Sequence, residues 1–114
     1  MADIILNIAK DFSRIPGARK PQEGSFSGQE FRNNFLVPKI NEAIKKKCKL
    51  TIILDGTAGL GTSFLEESFG GLIREDGFPL SLLNEVLNFI SEEDEEYKEE
   101  IKEYMECANE QEHH

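Results

Sequence analysis

The residues whose types and spacing could do chemistry lie at 55–63, where the chain reads DGTAGLGTS. This stretch follows the apolar run LTIIL and precedes FLEESFGGL. A glycine-rich loop between a strand and a helix can cradle phosphate with its backbone amides, in the pattern GxxxxGK[ST]. Residues 56–63 supply both glycines and the closing hydroxyl of Ser63, but Thr62 stands where the lysine belongs. That lysine would bring the positive charge for the terminal phosphates, and the loop has no Lys or Arg in its stead. ATP or GTP hydrolysis therefore lacks its cation. Passive binding of a nucleotide or anion by the amides of 56–63 is less demanding and stays open.

The same loop ends on two hydroxyls, Thr62 and Ser63, at a predicted helix start. One reading is structural: Ser63 and Glu66 have capping-box spacing. The other is a modification switch, because a phosphate here adds about 1.5 to 2 negative charges at the positive end of a helix. Asp55 stands at a strand's C-terminal end, where open sheets place functional groups, yet Asp before Gly also forms turns. Glu66 and Glu67 are adjacent and point about 100° apart on a helix, which suits capping and solvent exposure better than paired acid and base work. Arg32 and Arg74 are phosphate partners if the fold brings them near residue 62, and solvated helix residues otherwise. With no internal histidine as base and no Cys/His cluster for zinc, neither an enzyme nor a cofactor is expected.

Composition narrows the partners. The 114 residues, 39% of them apolar, suit one domain spanning 1–114 with a core over about 3–109 and a loose tail from 110. The net charge of −9 is unevenly placed: residues 1–90 hold 11 acids against 11 Lys and Arg, and residues 91–114 hold 11 acids against Lys98 and Lys102. Nucleic-acid binding needs a basic footprint, and KKKCK at 45–49 reads instead as a helix end that complements the dipole. No apolar run is long enough for a membrane helix and the N-terminus shows no leader pattern, so the chain is expected in the cytoplasm. Cys48 and Cys107 lack CxxC spacing and read as free, buried thiols. His113 and His114 resemble the start of a purification tag.

The elements that position the loop follow from periodicity. DIILNIA (3–9) reads as a strand, and 13–25, with two prolines and two glycines, as a loop with room for a short edge strand. Ser27 and Glu30 open a helix to about Lys47, with Phe31, Phe35, Ile40 and Ile44 on one face and a kink at Pro38. LTIIL is a central strand covered on both faces. A second helix runs over about 64–75, where Gly70 and Gly71 imply close approach to the sheet. A short helix over about 79–84 leads into a strand VLNFI. Tyr97, Ile101, Tyr104, Met105 and Ala108 mark a final amphipathic helix over about 92–109.

Three blocks, SGQEFRNNFLVPKINEAI (27–44), ILDGTAGLGTSFLEESFGGLIRE (53–75) and LNFISEEDEEYKEEIKEYMECA (87–108), resemble the small STAS-like proteins of uncharacterised function. These are distantly similar to the anti-sigma-factor antagonists. The resemblance implies an α/β fold: a small four-stranded mixed sheet with helices packed mainly on one face. It also implies a regulatory protein–protein interaction in prokaryotic signalling, with a histidine-kinase-like ATPase as partner. Thr62 falls where the antagonists' phosphorylated serine sits, Ser63 lies beside it, and Gly61 replaces their preceding aspartate. Asp55, Gly56, Thr57, Gly59, Gly61, Phe64 and Glu67 then form the partner- or anion-binding loop. Self-association as a homodimer, through an edge strand or the final helix, is a further option.

Overall fold

In the computed structural model, which describes residues 3–112, three strands form one parallel sheet in the order β1-β2-β3: Ile4–Asn7, Leu50–Ile53 and Leu87–Ile90. Ile4, Leu50 and Leu87 share one row of the register, and Leu6, Ile52 and Phe89 another. The expectation of four mixed strands is therefore corrected to three parallel ones. Segment 13–25 forms no strand. Pro16 and Pro21 remove backbone donors, and the chain instead folds into a strap held by Gly17 N–H to Phe26 O, Gly28 N–H to Ala18 O and Gln29 N–H to Arg19 O.

Right-handed crossovers between strands laid in sequence order put both helical connections on one face. That face buries Leu6, Leu50, Ile52, Leu54 and Leu87. Helix α1 covers 28–46 and contains a π-helical turn, Arg32–Leu36, ahead of Val37–Lys46. Val37 N–H reaches Arg32 O across this wider turn, which accommodates Pro38 without breaking the helix. The capping box at Ser27 and Glu30 forms as the spacing predicts, and Lys47 ends α1 in the left-handed conformation at φ 57°. Helix α2 covers 62–74 with its own π-helical turn at Glu66–Gly70. Helix α3 is Leu80–Val86, and α4 is Glu96–Glu112, so the tail expected from 110 is helical through Glu112. His113 and His114 lie outside the described residues.

Two packing expectations change. The helices cover one face of the sheet: the other carries Ile5, Asn7, Thr51, Ile53, Asn88 and Ile90, with Ile5 60% and Ile90 38% exposed on the outer strands and Thr51 7% exposed between them. The central strand's apolar run reflects β-branched strand preference as well as burial. Gly70 and Gly71 do not approach the sheet. A Cβ on Gly71 would run into the Arg32 guanidinium, and one on Gly70 would meet Glu66 and the Tyr104 carbonyl. The thiols are free, but Cys48 is half-buried and Cys107 exposed rather than both buried. Among the described residues no helix is long and apolar enough to cross a membrane.

Candidate functional site

The loop from Asp55 to Gly61 is braced from three directions. Asp55 accepts from the backbone N–H groups of Glu92 and Glu93 at 3.0 and 2.8 Å, and Glu93 returns a bond from Gly56 N–H at 2.8 Å. Ala58 N–H donates to Arg14 O at 2.7 Å, and Leu60 N–H to the Tyr97 hydroxyl at 3.1 Å. Leu60 is 6% exposed and anchors the loop in the core. Gly56, at φ 94° with Ala9 beside it, occupies a conformation that a side chain would strain. Asp55 thus ties the loop after β2 to the turn after β3.

These bonds bear on the phosphate-cradle reading. A cradle points successive amides at one anion, whereas the N–H groups of Gly56, Ala58 and Leu60 are directed at three separate protein partners.

At the end of the loop, Gly61 is the N-cap of α2 and no side chain caps it. The capping box expected of Ser63 and Glu66 does not form, because the helix begins two residues earlier than that motif requires. Ser63 occupies the second helical position, and Glu66 turns to arginines instead. Thr62 and Ser63 are both exposed, as are Gly56, Gly59 and Gly61, while Thr57 is half-exposed. Phe64 and Glu67, expected on the docking loop, are 0% and 2% exposed and present nothing to a visitor. Phe64 packs in an aromatic cluster with Phe12 and Phe31 at ring separations of 6.0 and 5.5 Å.

Glu67 is the centre of an ion-pair cluster. Arg32, itself 4% exposed, pairs with its carboxylate and also donates to its backbone carbonyl at 2.7 Å. Lys20 Nζ stands 3.4 Å from Glu67 Oε1, and Arg19 bridges Glu67 and Glu66. Arg74 holds Glu66 at 2.6 Å. Asp76 Oδ2 lies 3.0 Å from Arg32 Nε, an ion pair set off the N–H axis that leaves the buried Nε–H without a hydrogen bond. Burial pushes both glutamates up, but the Arg32 and Lys20 contacts to Glu67, and the Arg74 and Arg19 contacts to Glu66, outweigh it and hold both carboxyls below the ordinary range. For Asp76 burial prevails over Arg32 and its carboxyl is raised.

Sequence reasoning placed Glu67 and Arg32 in solvent. Their signal was the pairing of Gly28 with the EES segment: a Cβ on Gly28 would sit 2.8 Å from Phe64 O and 3.0 Å from Glu67 Cβ. Only a side-chain-free position lets α1 and α2 approach so closely, and that approach seals the ion pair between them.

The architecture is α/β, a three-stranded parallel sheet with helices on one face and a glycine loop leading from the central strand into a helix. Residues 27–97 match the STAS-like domain of unknown function (DUF4325). The chain belongs to that family. No curated protein and no solved structure matches the chain significantly.

Proposed function

We propose that this chain is a non-enzymatic regulatory domain that docks a protein partner in prokaryotic signalling through the loop after β2 and the first turn of α2. Thr62 or Ser63 is its switch, phosphorylated by a partner of the ATP-binding, histidine-kinase-like type. The observation that carries this reading is that both hydroxyls are exposed in the first turn of α2, directly after a braced loop, and neither serves as a helix cap. A hydroxyl excused from structural duty can carry a phosphoryl group without loss of the fold, and the added charge alters what the surface recruits or repels. The docking surface is narrower than the residue pattern predicts: Gly56, Thr57, Gly59, Gly61, Thr62 and Ser63 belong to it, while Phe64, Glu67 and Asp55 support it from behind.

The alternative, a small nucleotide- or anion-binding module using 56–63, has less support, since three of the loop's amides already have protein partners. Capture of partners from the source cell's extract separates the two readings. Thr62→Glu or Ser63→Glu is expected to keep the fold and change the recovered proteins. Identical recoveries for both variants and wild type, together with calorimetric binding of ATP or phosphate by the isolated domain, would overturn the regulatory reading.

A further inference from the structure

Three arginines meet the two glutamates of α2, and they are not equivalent. Arg32 is locked, with a side chain 5% exposed and bonds to both the carboxylate and the carbonyl of Glu67. Arg74 lies on α2 itself and holds Glu66. Arg19 comes from the strap, has the most exposed side chain of the three at 36%, and duplicates contacts that the other two already make. If Arg19 leaves, Glu66 keeps Arg74 and Glu67 keeps Arg32. Lys20, 42% exposed, is similarly free to turn away.

The direction in which Arg19 would turn follows from helix geometry. At about 100° per residue, Ser63 lies about 60° around the helix from Glu66 and about 40° from Glu67, on the stripe that Arg19 spans. Thr62 lies about 40° from Glu66 but about 140° from Glu67, outside the arc between the two carboxylates that Arg19 bridges, whereas Ser63 lies within it. Side chains tilt toward the helix N-terminus, so Glu66 and Glu67 lean from one turn away toward Ser63.

We infer that Ser63, rather than Thr62, is the regulated hydroxyl, and that a phosphoryl group on it draws Arg19 and Lys20 from the glutamates and re-anchors the strap over 13–27. This rests on the phosphorylation reading above and adds which residue is modified and what responds. In the step, Ser63 Oγ attacks the γ-phosphorus of a nucleoside triphosphate held by the partner. The hydroxyl proton passes to a base of the partner, and the β–γ bridging bond breaks to release the diphosphate. The product is close to a dianion, matched by the two cations that can leave without orphaning a carboxylate. The strap carries Ile15, 73% exposed, and Phe26, 46% exposed and held at φ 58°. Arg14 O in the strap is bonded to Ala58 of the loop, so the exchange changes how two apolar side chains are presented beside the docking surface.

The test uses the described chain with phosphoserine incorporated at 63, or phosphothreonine at 62, and follows the phosphorus resonance through a pH titration. The second ionisation of phosphoserine 63 is expected about half a pH unit or more lower in the wild-type background than with Arg19→Gln, because an opposite charge favours the dianion. The phosphate at 62 is expected to respond less to the same substitution. Equal titration of phosphoserine 63 in both backgrounds overturns the inference, as does a larger Arg19 dependence at 62. If Arg19→Gln does not fold, the guanidinium nitrogen resonances of Arg19 decide in the unsubstituted chain: a shift on phosphorylation of 63 supports the exchange and none refutes it. Partner capture can fail while this titration succeeds, so the two readings fall separately.

Discussion

Glu67 carries the clearest consequence at the scale of single residues. It is buried, its partner Arg32 is buried, and removing the Glu67 charge leaves Arg32 with Asp76 as its only counter-charge among the described residues, set off the N–H axis. Glu67→Gln is expected to destabilise the fold by about 3–5 kcal/mol, read as a lower denaturant midpoint with unchanged slope. The same pair sets the response to acid. Glu66 and Glu67 have depressed carboxyls, so their contribution is complete above the unfolded glutamate value and is lost as pH falls through the folded ones. Asp76, with a raised carboxyl, opposes folding where it is charged and gives back some stability on protonation. Wild type is therefore expected to lose stability as pH falls below about 4.3, and Glu67→Gln to lose less over that interval. A variant with the same acid slope as wild type would show that the pair does not govern acid unfolding. None of this was legible from residue type: a glutamate beside a glutamate on a helix reads as solvated, and only the approach of a second helix carrying an arginine reverses that.

At the scale of elements, α1 and α2 meet where both are interrupted by π-helical turns, one opening at Arg32 and the other at Glu66. The contact depends on Gly28, packed against the Phe64 carbonyl and Glu67 Cβ. Alanine has the higher helix propensity, by about 1 kcal/mol, but here its methyl group faces a backbone carbonyl that cannot rotate away. Gly28→Ala is expected to be net destabilising by about 1–3 kcal/mol, measured by thermal or denaturant unfolding. A stabilised variant would mean that the helices can separate at no cost. The helices themselves were legible: the Ser27/Glu30 box, the apolar stripe of α1 as far as Ile40 (Ile44, expected on it, is 39% exposed), Pro79 before α3 and the Tyr97, Ile101, Met105, Ala108 stripe lie where periodicity and capping place them. Their junction was not, since Gly71 against Arg32 and Gly70 against Tyr104 O are contacts between segments far apart in the chain.

For the whole molecule, the consequential feature is a parallel sheet with helices on one face only. Parallel sheets are usually covered on both, yet here Ile5, Ile53 and Ile90 sit on a face without charged residues that no described element covers. Ile52 and Ile90 make the contrast measurable. Ile52→Ala is expected to cost about 2–5 kcal/mol, and Ile90→Thr, which retains β-branching on the open face, within about 0.5 kcal/mol of zero. A large loss at Ile90 in the isolated chain would mean that this face is packed in solution.

What the sequence determined by itself was local: three strand runs, four helices with their stripes and the cap of the first, the glycine loop after the middle strand, and the resemblance those blocks carry. These depend on neighbours within a few positions, where propensity and periodicity act. The tertiary structure alone decided that the sheet has three parallel strands, that Ser63 is exposed while Glu67 is sealed, and which arginines hold the two glutamates. Those outcomes depend on which distant segments share a surface, because burial, ion pairing and the direction of a side chain are set by the approach of elements and not by the residue's own type.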